Sequence, residues 1–482
     1  MTTGQDVLVE QAGKAACCDT CATVSVAAKN PIESAPAATR SQPPVTATTR
    51  PDLVVLEPGR GASISRATDR RITVIGLAIA SGFLAAAVAA MALPAPLRHG
   101  LWLPVHLGLA GAAGTAIASV LPFFVAALSV VRPIGPLVRG GAIALIAVGA
   151  LMASLGIVGG VQSLALAGAL SYLVGLGAVS IAAFWPLRGA RGSRRPLVLA
   201  AYGAAIAMVA VGVGIVGTML AGYPPFVERW GLLKPAHAWL NVFGFLSVIV
   251  AATLVHLAPT VAGARIVSRR SAVVALAGLV TGAPLVALGF ALGDDRVARI
   301  GASVELFGAV ALVVHGAAVR RDRGRWTTDR AWHRLTASSL LAAPGWFLVA
   351  VLLAAARILW LGAVPAAWSL DSIAAPLAVG WVVQALIGAW SQLLPAIGPG
   401  DFAAHARQRT GLGRAATGRL VALNIGVALV LFGGLINWVW LAEIGVVLGG
   451  VAVAAALAIL VDALRTGETG VVSGSIRASR DG

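Results

Sequence analysis

Residues Lys234–Thr260 read KPAHAWLNVFGFLSVIVAATLVHLAPT. The segment is an apolar span with a histidine at each end, His237 and His256. A run of about twenty apolar residues is the length that crosses the hydrocarbon core of a bilayer as a helix. At 1.5 Å of rise per residue, the nineteen positions from His237 to His256 separate the rings by about 28 Å. No single metal ion or haem iron reaches both. The two histidines belong to opposite membrane faces, and a site at either must be completed by other helices.

Runs of the same kind recur along most of the chain. Hydrophobic residues make up 58% of the 482 positions and charged residues 11%, against roughly a quarter charged in soluble proteins. Twelve candidate spans fall at roughly 72–93, 103–130, 141–160, 163–187, 197–222, 236–258, 271–292, 300–319, 338–362, 373–397, 418–438 and 443–464. The third and fourth lie close together and can be read as merged or shifted. Lipid offers the backbone no hydrogen bonds, so the spans are expected to be helices. Alternating strands of the barrel type are not found. The expected fold is an all-α, polytopic bundle of about twelve helices. Pro104, Pro122, Pro284, Pro344 and Pro376 lie at span edges or interiors and predict kinks. No internal repeat, soluble domain or nucleotide-binding loop is legible.

The net charge of +17 does not mark a nucleic-acid partner. The basic residues sit in short loops between apolar spans, where they act as topology signals. One set of loops holds Arg132 and Arg139, then Arg188, Arg191, Arg194 and Arg195, then Arg265, Arg269 and Arg270, a cluster from Arg320 to Arg334, and Arg407, Arg409, Arg414 and Arg419. The alternate loops hold only Arg98, Arg229, Lys234, Arg296 and Arg299. This asymmetry predicts cytoplasmic N- and C-termini. Only Lys14, Lys29 and Lys234 are lysines. That arginine bias, with abundant Ala, Gly and Val, points to a GC-rich bacterial genome and hence a multi-pass protein of a bacterial plasma membrane. Residues 1–68 are rich in Pro, Ser, Thr and Ala and are expected to form a disordered cytoplasmic tail. Residues 69–466 then form the twelve-helix domain and 467–482 a short cytoplasmic tail. All three cysteines lie in the first tail, as ACCDTCA. Cys17, Cys18 and Cys21 offer three thiolates to a soft ion such as Cu(I), or are incidental to a disordered segment.

Ionisable groups inside spans are costly and are functional candidates by default. Near the outer surface the topology places His106, His237, Glu305 and Arg357. Near the inner surface it places His256 and His315. The outer pair His106 and His237 is a candidate ligand set, since neutral imidazole suits haem iron, copper or zinc. Arg357 is a candidate partner for a haem propionate. The plain alternative is that both histidines snorkel or bond to a neighbouring helix. Glu305 reads either as a proton or cation relay or as a partner for Arg299 or Arg357. The small-residue run GLAGAAGTAIAS after His106 allows close helix packing and equally the approach of a flat macrocycle.

Three stretches carry a family resemblance. HAWLNVFGFLSVIVAATLVHLAP (His237–Pro259) resembles the histidine-rich sixth span of distant relatives of haem–copper oxidase subunit I. These include nitric-oxide-response (NnrS-like) membrane proteins and the membrane modules of actinobacterial copper-oxidase-like proteins. PVHLGLAGAAGTAIASVLPFF (Pro104–Phe124) resembles their second span, and WVVQALIGAWSQLLPAIGPG (Trp381–Gly400) their tenth. The twelve-span layout with both termini inside is also theirs. The resemblance implies a subunit I-like bundle, with His106 at the low-spin haem position. The departures are as specific. Span 10 offers Gln384 and Gln392 in place of histidines, Ser271–Leu292 has no copper-ligating histidine, and Trp239 stands where a second histidine is expected. The oxygen-reducing centre is therefore not built in the family's way, and an oxygen or nitric oxide reductase is not expected. The expectation is a protein binding haem b or copper, in metal or nitrogen-oxide homeostasis or as partner of a redox enzyme. The alternatives are a secondary transporter and a ligand-free assembly subunit.

Overall fold

A computed structural model describes residues 60–190, 195–264, 269–323, 330–397 and 402–478. The described residues form helices and short connections, with no strand among them. Twelve helices are long and apolar enough to cross a membrane: α1 (Arg71–Ala90), α2 (Trp102–Ser129), α3 (Pro136–Val158), α4 (Gln162–Gly189), α5 (Pro196–Leu220), α6 (Trp230–Ala262), α7 (Arg270–Leu292), α8 (Asp295–Arg323), α9 (Ala331–Leu361), α10 (Pro365–Pro395), α11 (Ala416–Leu435) and α12 (Val439–Thr466). The expected number is met, and the chain is a multi-pass integral membrane protein. The expected third and fourth spans are separate helices. They are parted at Gly160, whose φ of +67° suits a residue without a Cβ.

Two terminal boundaries differ from expectation. The first helix begins at Arg60 rather than near 69, and the last runs on to Ala478. A helix already nucleated in its apolar stretch extends into polar sequence at little cost. Composition alone does not register that extension.

The helices fall into a pattern of period four. In α2, α6 and α10 the buried share of the most apolar window is 78, 72 and 61%, against 33–56% in the other nine. These three are the central helices and they touch one another. Each also contains a π-helical segment: Leu107–Ala113, Leu240–Ser247 and Ala375–Val383. By contrast, α3–α4, α7–α8 and α11–α12 are tight antiparallel hairpins. They expose Leu155 and Val174, Phe307 and Val314, and Ile425 and Val447 respectively, as a lipid-facing ring does. Glycine allows each hairpin to close. A Cβ on Gly156 would lie 2.3 Å from the backbone nitrogen of Ala165, one on Gly289 2.4 Å from that of Ala298, and one on Gly433 2.6 Å from that of Ala442. Small residues let membrane helices approach at backbone distance, where dispersion and lipid release drive association.

Aromatic side chains mark both ends of the bundle. Trp360, Trp438 and Trp440 are exposed at the arginine-poor end. Trp185 is exposed at the arginine-rich end, with the Arg188 guanidinium 3.7 Å from its ring centre. Amphipathic rings of this kind settle at the two headgroup levels. Between the ends, Trp239, Phe243, Phe347 and Trp381 form a stacked core across α6, α9 and α10. Ring centres are 4.5 Å apart for Trp239–Phe243 and 4.8 Å for Phe347–Trp381.

Candidate functional site

His106 is the last residue before the π segment of α2. Its Nδ1 lies 2.8 Å from the carbonyl oxygen of Trp102, and its ring stacks on the Trp102 indole at 3.9 Å. A carbonyl oxygen only accepts, so Nδ1 carries the proton and donates. The lone pair is left on Nε2.

His237 stands three residues before the π segment of α6 and repeats the arrangement. Its Nδ1 lies 2.8 Å from the carbonyl oxygen of Gly212 on α5 and 3.0 Å from Asn241 Nδ2; the carbonyl only accepts and is the nearer of the two, which places the proton on Nδ1. Asn241, one turn on, donates its Nδ2 to the His237 carbonyl at 2.7 Å. Gly212 makes this approach possible, because a Cβ there would lie 2.7 Å from Asn241 Nδ2. Again Nε2 is the free nitrogen. Among the described residues, neither Nε2 has a hydrogen-bond partner in the protein.

The two rings come from helices whose π segments touch. Both are half-buried. A histidine that binds a metal through one nitrogen almost always donates the other N–H to a carbonyl or carboxylate, which fixes tautomer and orientation. Both histidines meet that requirement. Sequence reasoning identified the pair but not Trp102, Gly212 or Asn241 as the groups that orient it. Only the one-turn spacing of Trp102 and Asn241 from the histidines was available as a signal, and Gly212 lies 25 residues away on another helix.

The other candidates are placed as follows. Arg357 lies at the arginine-poor end of α9, where its guanidinium donates to the carbonyls of Ala366 at 2.6 Å and Ala367 at 3.3 Å. It ties the end of α9 to the start of α10. Glu305 is fully buried at 0% exposure. Its Oε2 accepts a 2.6 Å hydrogen bond from Trp239 Nε1, while Oε1 finds no partner among the described residues. Neither Arg299, which pairs with Asp295 at 3.7 Å, nor Arg357 reaches it. The partner of Glu305 is thus the residue that stands in place of the expected histidine. No local spacing connects the two, since 66 positions separate them.

At the arginine-rich end, His315 meets the hydroxyl of Ser271 at 3.2 Å. The His256 carbonyl accepts from Thr260. The small-residue run of α2 serves helix packing, with Gly111 against Phe83 of α1 and Gly114 against Tyr172 of α4. Cys17, Cys18 and Cys21 lie outside the described residues. Among those described, no group of three or more His, Cys, Asp or Glu side chains comes together.

No protein-family model matches the chain, and no curated protein matches it either.

Proposed function

We propose that this integral membrane protein binds one copper ion at its arginine-poor end through Nε2 of His106 and Nε2 of His237. The observation that carries the reading is the shared tautomer: each ring gives its Nδ1 proton to a backbone carbonyl at 2.8 Å and keeps Nε2 for a ligand. Two imidazoles fall short of the three or four protein ligands usual for zinc. Copper stands at the top of the affinity order for nitrogen donors. When bound, the ion is either cargo or a one-electron centre.

Two neutral imidazoles can also hold haem iron, but the centre of the bundle near α6 and α10 is filled by the stacked Trp239, Phe243, Phe347 and Trp381, which favours an ion over a macrocycle. Support for kinship with the haem–copper oxidase group comes from α2, α6 and α10. The three spans whose sequences resemble that family are the same three that are most buried, carry π segments and meet at the centre. On this reading the protein is a divergent relative that works in copper or nitrogen-oxide homeostasis, or beside a redox enzyme, with no oxygen chemistry of its own.

The test uses full-length protein with Cys17, Cys18 and Cys21 replaced by serine, so that the tail contributes no thiolate. After exposure to Cu(I) and removal of excess, the reading expects one copper per chain, lost in His106→Ala and in His237→Ala. Copper content unchanged by both histidine substitutions would overturn it. So would a haem absorption band in the purified protein with no copper bound. A metal-free protein that copurifies with a partner would instead favour an assembly subunit.

A second reading, secondary transport, rests on Glu305. A buried carboxyl with one oxygen unpartnered is the kind of group that carries a proton or cation through a bundle. Vesicles containing the protein and a proton-sensitive dye would then show copper-driven proton movement, abolished in Glu305→Gln. No movement in the unaltered protein sinks this reading.

A further inference from the structure

The interface between α9 and α10 carries buried polar groups, separate from the histidines. On α10, Gln384, Gly388 and Ser391 are spaced four and three positions apart, so they share one face. On α9, Thr336, Ser339 and Leu340 share another. The two faces meet. A Cβ on Gly388 would lie 3.0 Å from Ser339 Cβ and 3.0 Å from Leu340 Cδ2, and one on Gly380 2.5 Å from Trp346 Cγ. Gln384 stands between these two points of contact with α9.

Thr336, Ser339, Gln384 and Ser391 are all buried. The Thr336 hydroxyl is spent on the Trp332 carbonyl at 3.0 Å. Gln384 differs: at 0% exposure, neither its Oε1 nor its Nε2 finds a partner among the described residues. Gln392, next to Ser391, also has a buried Oε1 without a partner among them. Two prolines add backbone acceptors. Pro344 and Pro395 lie inside α9 and α10. Neither has an N–H, so the carbonyls of Leu340 and Ser391, four residues earlier, lose their helical donor. Both carbonyls belong to the facing stripes. A helix in lipid tolerates proline when side chains or ordered water take up the freed group.

The chemistry of these groups defines what they take. Gln384 offers a donor and an acceptor, the two carbonyls and Gln392 Oε1 offer acceptors, and the serine hydroxyls do both. Water also does both, and it stays in a protein interior when it has two to four polar partners. From Gln384 to Ser391 is about 10 Å along the helix, the length of three or four waters bonded in line at about 2.8 Å. A bare cation suits the oxygens but not the charge. None of these groups is a carboxylate, and a buried ion needs a counter-charge. At the arginine-rich end the seam begins near Trp332, one turn before Thr336, with the Arg409 guanidinium 5.4 Å from its ring centre. A fixed positive charge there repels cations and admits neutral water. Toward the bundle centre the seam is closed by Trp381, three residues before Gln384, which stacks on Phe347 at 4.8 Å.

We infer that a file of ordered water enters between α9 and α10 from the arginine-rich end and stops at Gln384, short of the aromatic core.

The test uses the full chain in lipid nanodiscs, with hydroxyl radicals generated from water by X-ray pulses and side-chain oxidation mapped by mass spectrometry. Radicals react close to the water that gives rise to them, so a buried side chain is oxidised when ordered water stands beside it. Leu340, 1% exposed, is expected to be oxidised several-fold more than Leu279 and Leu312 of the α7–α8 hairpin, which are 0 and 2% exposed. Gln384→Met keeps the length of the side chain and removes both polar atoms. Ser339→Ala combined with Ser391→Ala removes two hydroxyls. Each variant is expected to lower Leu340 oxidation toward that of the two control leucines, with the exposed Trp360 and Trp440 unchanged. Leu340 oxidised no more than the controls in the unaltered protein overturns the inference. Oxidation that persists in a folded variant overturns it too. So does an oxidation of Leu340 that changes when sodium chloride is replaced by choline chloride, since the oxygens would then hold a cation. If one variant does not fold, the other decides.

Discussion

The bond between Trp239 and Glu305 allows a quantitative test of what holds α6 against α8. Trp239 is 1% exposed and Glu305 0%, and their 2.6 Å contact is the one hydrogen bond Glu305 makes among the described residues. Trp239→Phe keeps the stack on Phe243, at 4.5 Å between ring centres, but removes the donor. A buried acceptor left unsatisfied costs about 1–3 kcal/mol. The smaller ring also leaves a gap beside Phe290 and Trp368, which adds about 1 kcal/mol. The expected loss is about 2–4 kcal/mol, or roughly thirty- to seven-hundredfold in the unfolding equilibrium at 1.4 kcal/mol per factor of ten. Glu305→Leu strands the indole N–H instead, but relieves the membrane interior of a carboxyl. Its cost should be smaller, because replacing one buried polar partner and then the other approaches an apolar pair of similar shape. The double variant should therefore lose less than the two single losses together, with a coupling of about 0.5–3 kcal/mol. Unfolding in mixed micelles titrated with sodium dodecyl sulfate, followed by far-ultraviolet circular dichroism, measures all four corners of the cycle. Additive losses would refute the bond. A stabilised Glu305→Leu would show that the carboxyl is kept for function at a cost in stability.

Three other outcomes follow from the same geometry. Gly212→Ala places a Cβ 2.7 Å from Asn241 Nδ2, and should lower copper affinity about 10–100-fold, as loss of an orienting contact does; a competition titration with a copper chelator reads it. Gly168→Ala puts a Cβ 2.3 Å from the Ala153 nitrogen and should destabilise by about 1–3 kcal/mol. On the same helix Gly177→Ala meets nothing within 4 Å and should gain about 0.5–1 kcal/mol, so the two variants should shift the micelle unfolding midpoint in opposite directions. Finally, the arginine asymmetry predicts sidedness. In a background without Cys17, Cys18 and Cys21, a cysteine placed at Gly100 or Ala366, both exposed, should react with an impermeant maleimide applied to intact cells, and one at Gly189 or Gly413 should not. The reverse pattern would invert the topology.

The number of helices was legible because twelve apolar runs of sufficient length are a one-dimensional signal, and lipid leaves the backbone no alternative to helix. Which helices sit at the centre was not legible in that way. α2, α6 and α10 are no more apolar than their neighbours: α10 has the lowest mean hydropathy of the twelve, at 1.7, and α12, among the least buried, has the highest, at 2.7. Where lipid tails are as apolar as leucine, hydropathy does not separate interior from exterior, and close packing does that work instead. The relevant signal was the glycines, at Gly149, Gly156, Gly168 and Gly175 in one hairpin and at Gly278, Gly282, Gly289, Gly301 and Gly308 in another. A Cβ at any of these would lie within 3 Å of a facing atom. Their positions mark hairpins at α3–α4 and α7–α8, four helices apart, and that is the repeat which composition alone did not reveal.

At the histidines the sequence supplied the residues but not their protonation. His106 and His237 were identifiable as imidazoles at similar depth. What the proposal of a ligand pair rests on is that both Nδ1 atoms are bonded to carbonyls, those of Trp102 and Gly212. The second of these belongs to a different helix and exists only because position 212 has no side chain. The π segments were equally hidden, since a π turn has no sequence signature as strong as a proline or a glycine cap. Yet they lie where the central helices meet: in α2 the segment follows His106 directly, in α6 it begins three residues after His237 and holds Phe243, and in α10 it holds Trp381 of the stacked core. The backbone irregularity therefore sits at the packing of the bundle's centre in all three helices, and beside a histidine in only two, so the packing is the property common to the three segments and the proposed copper site is an addition to it.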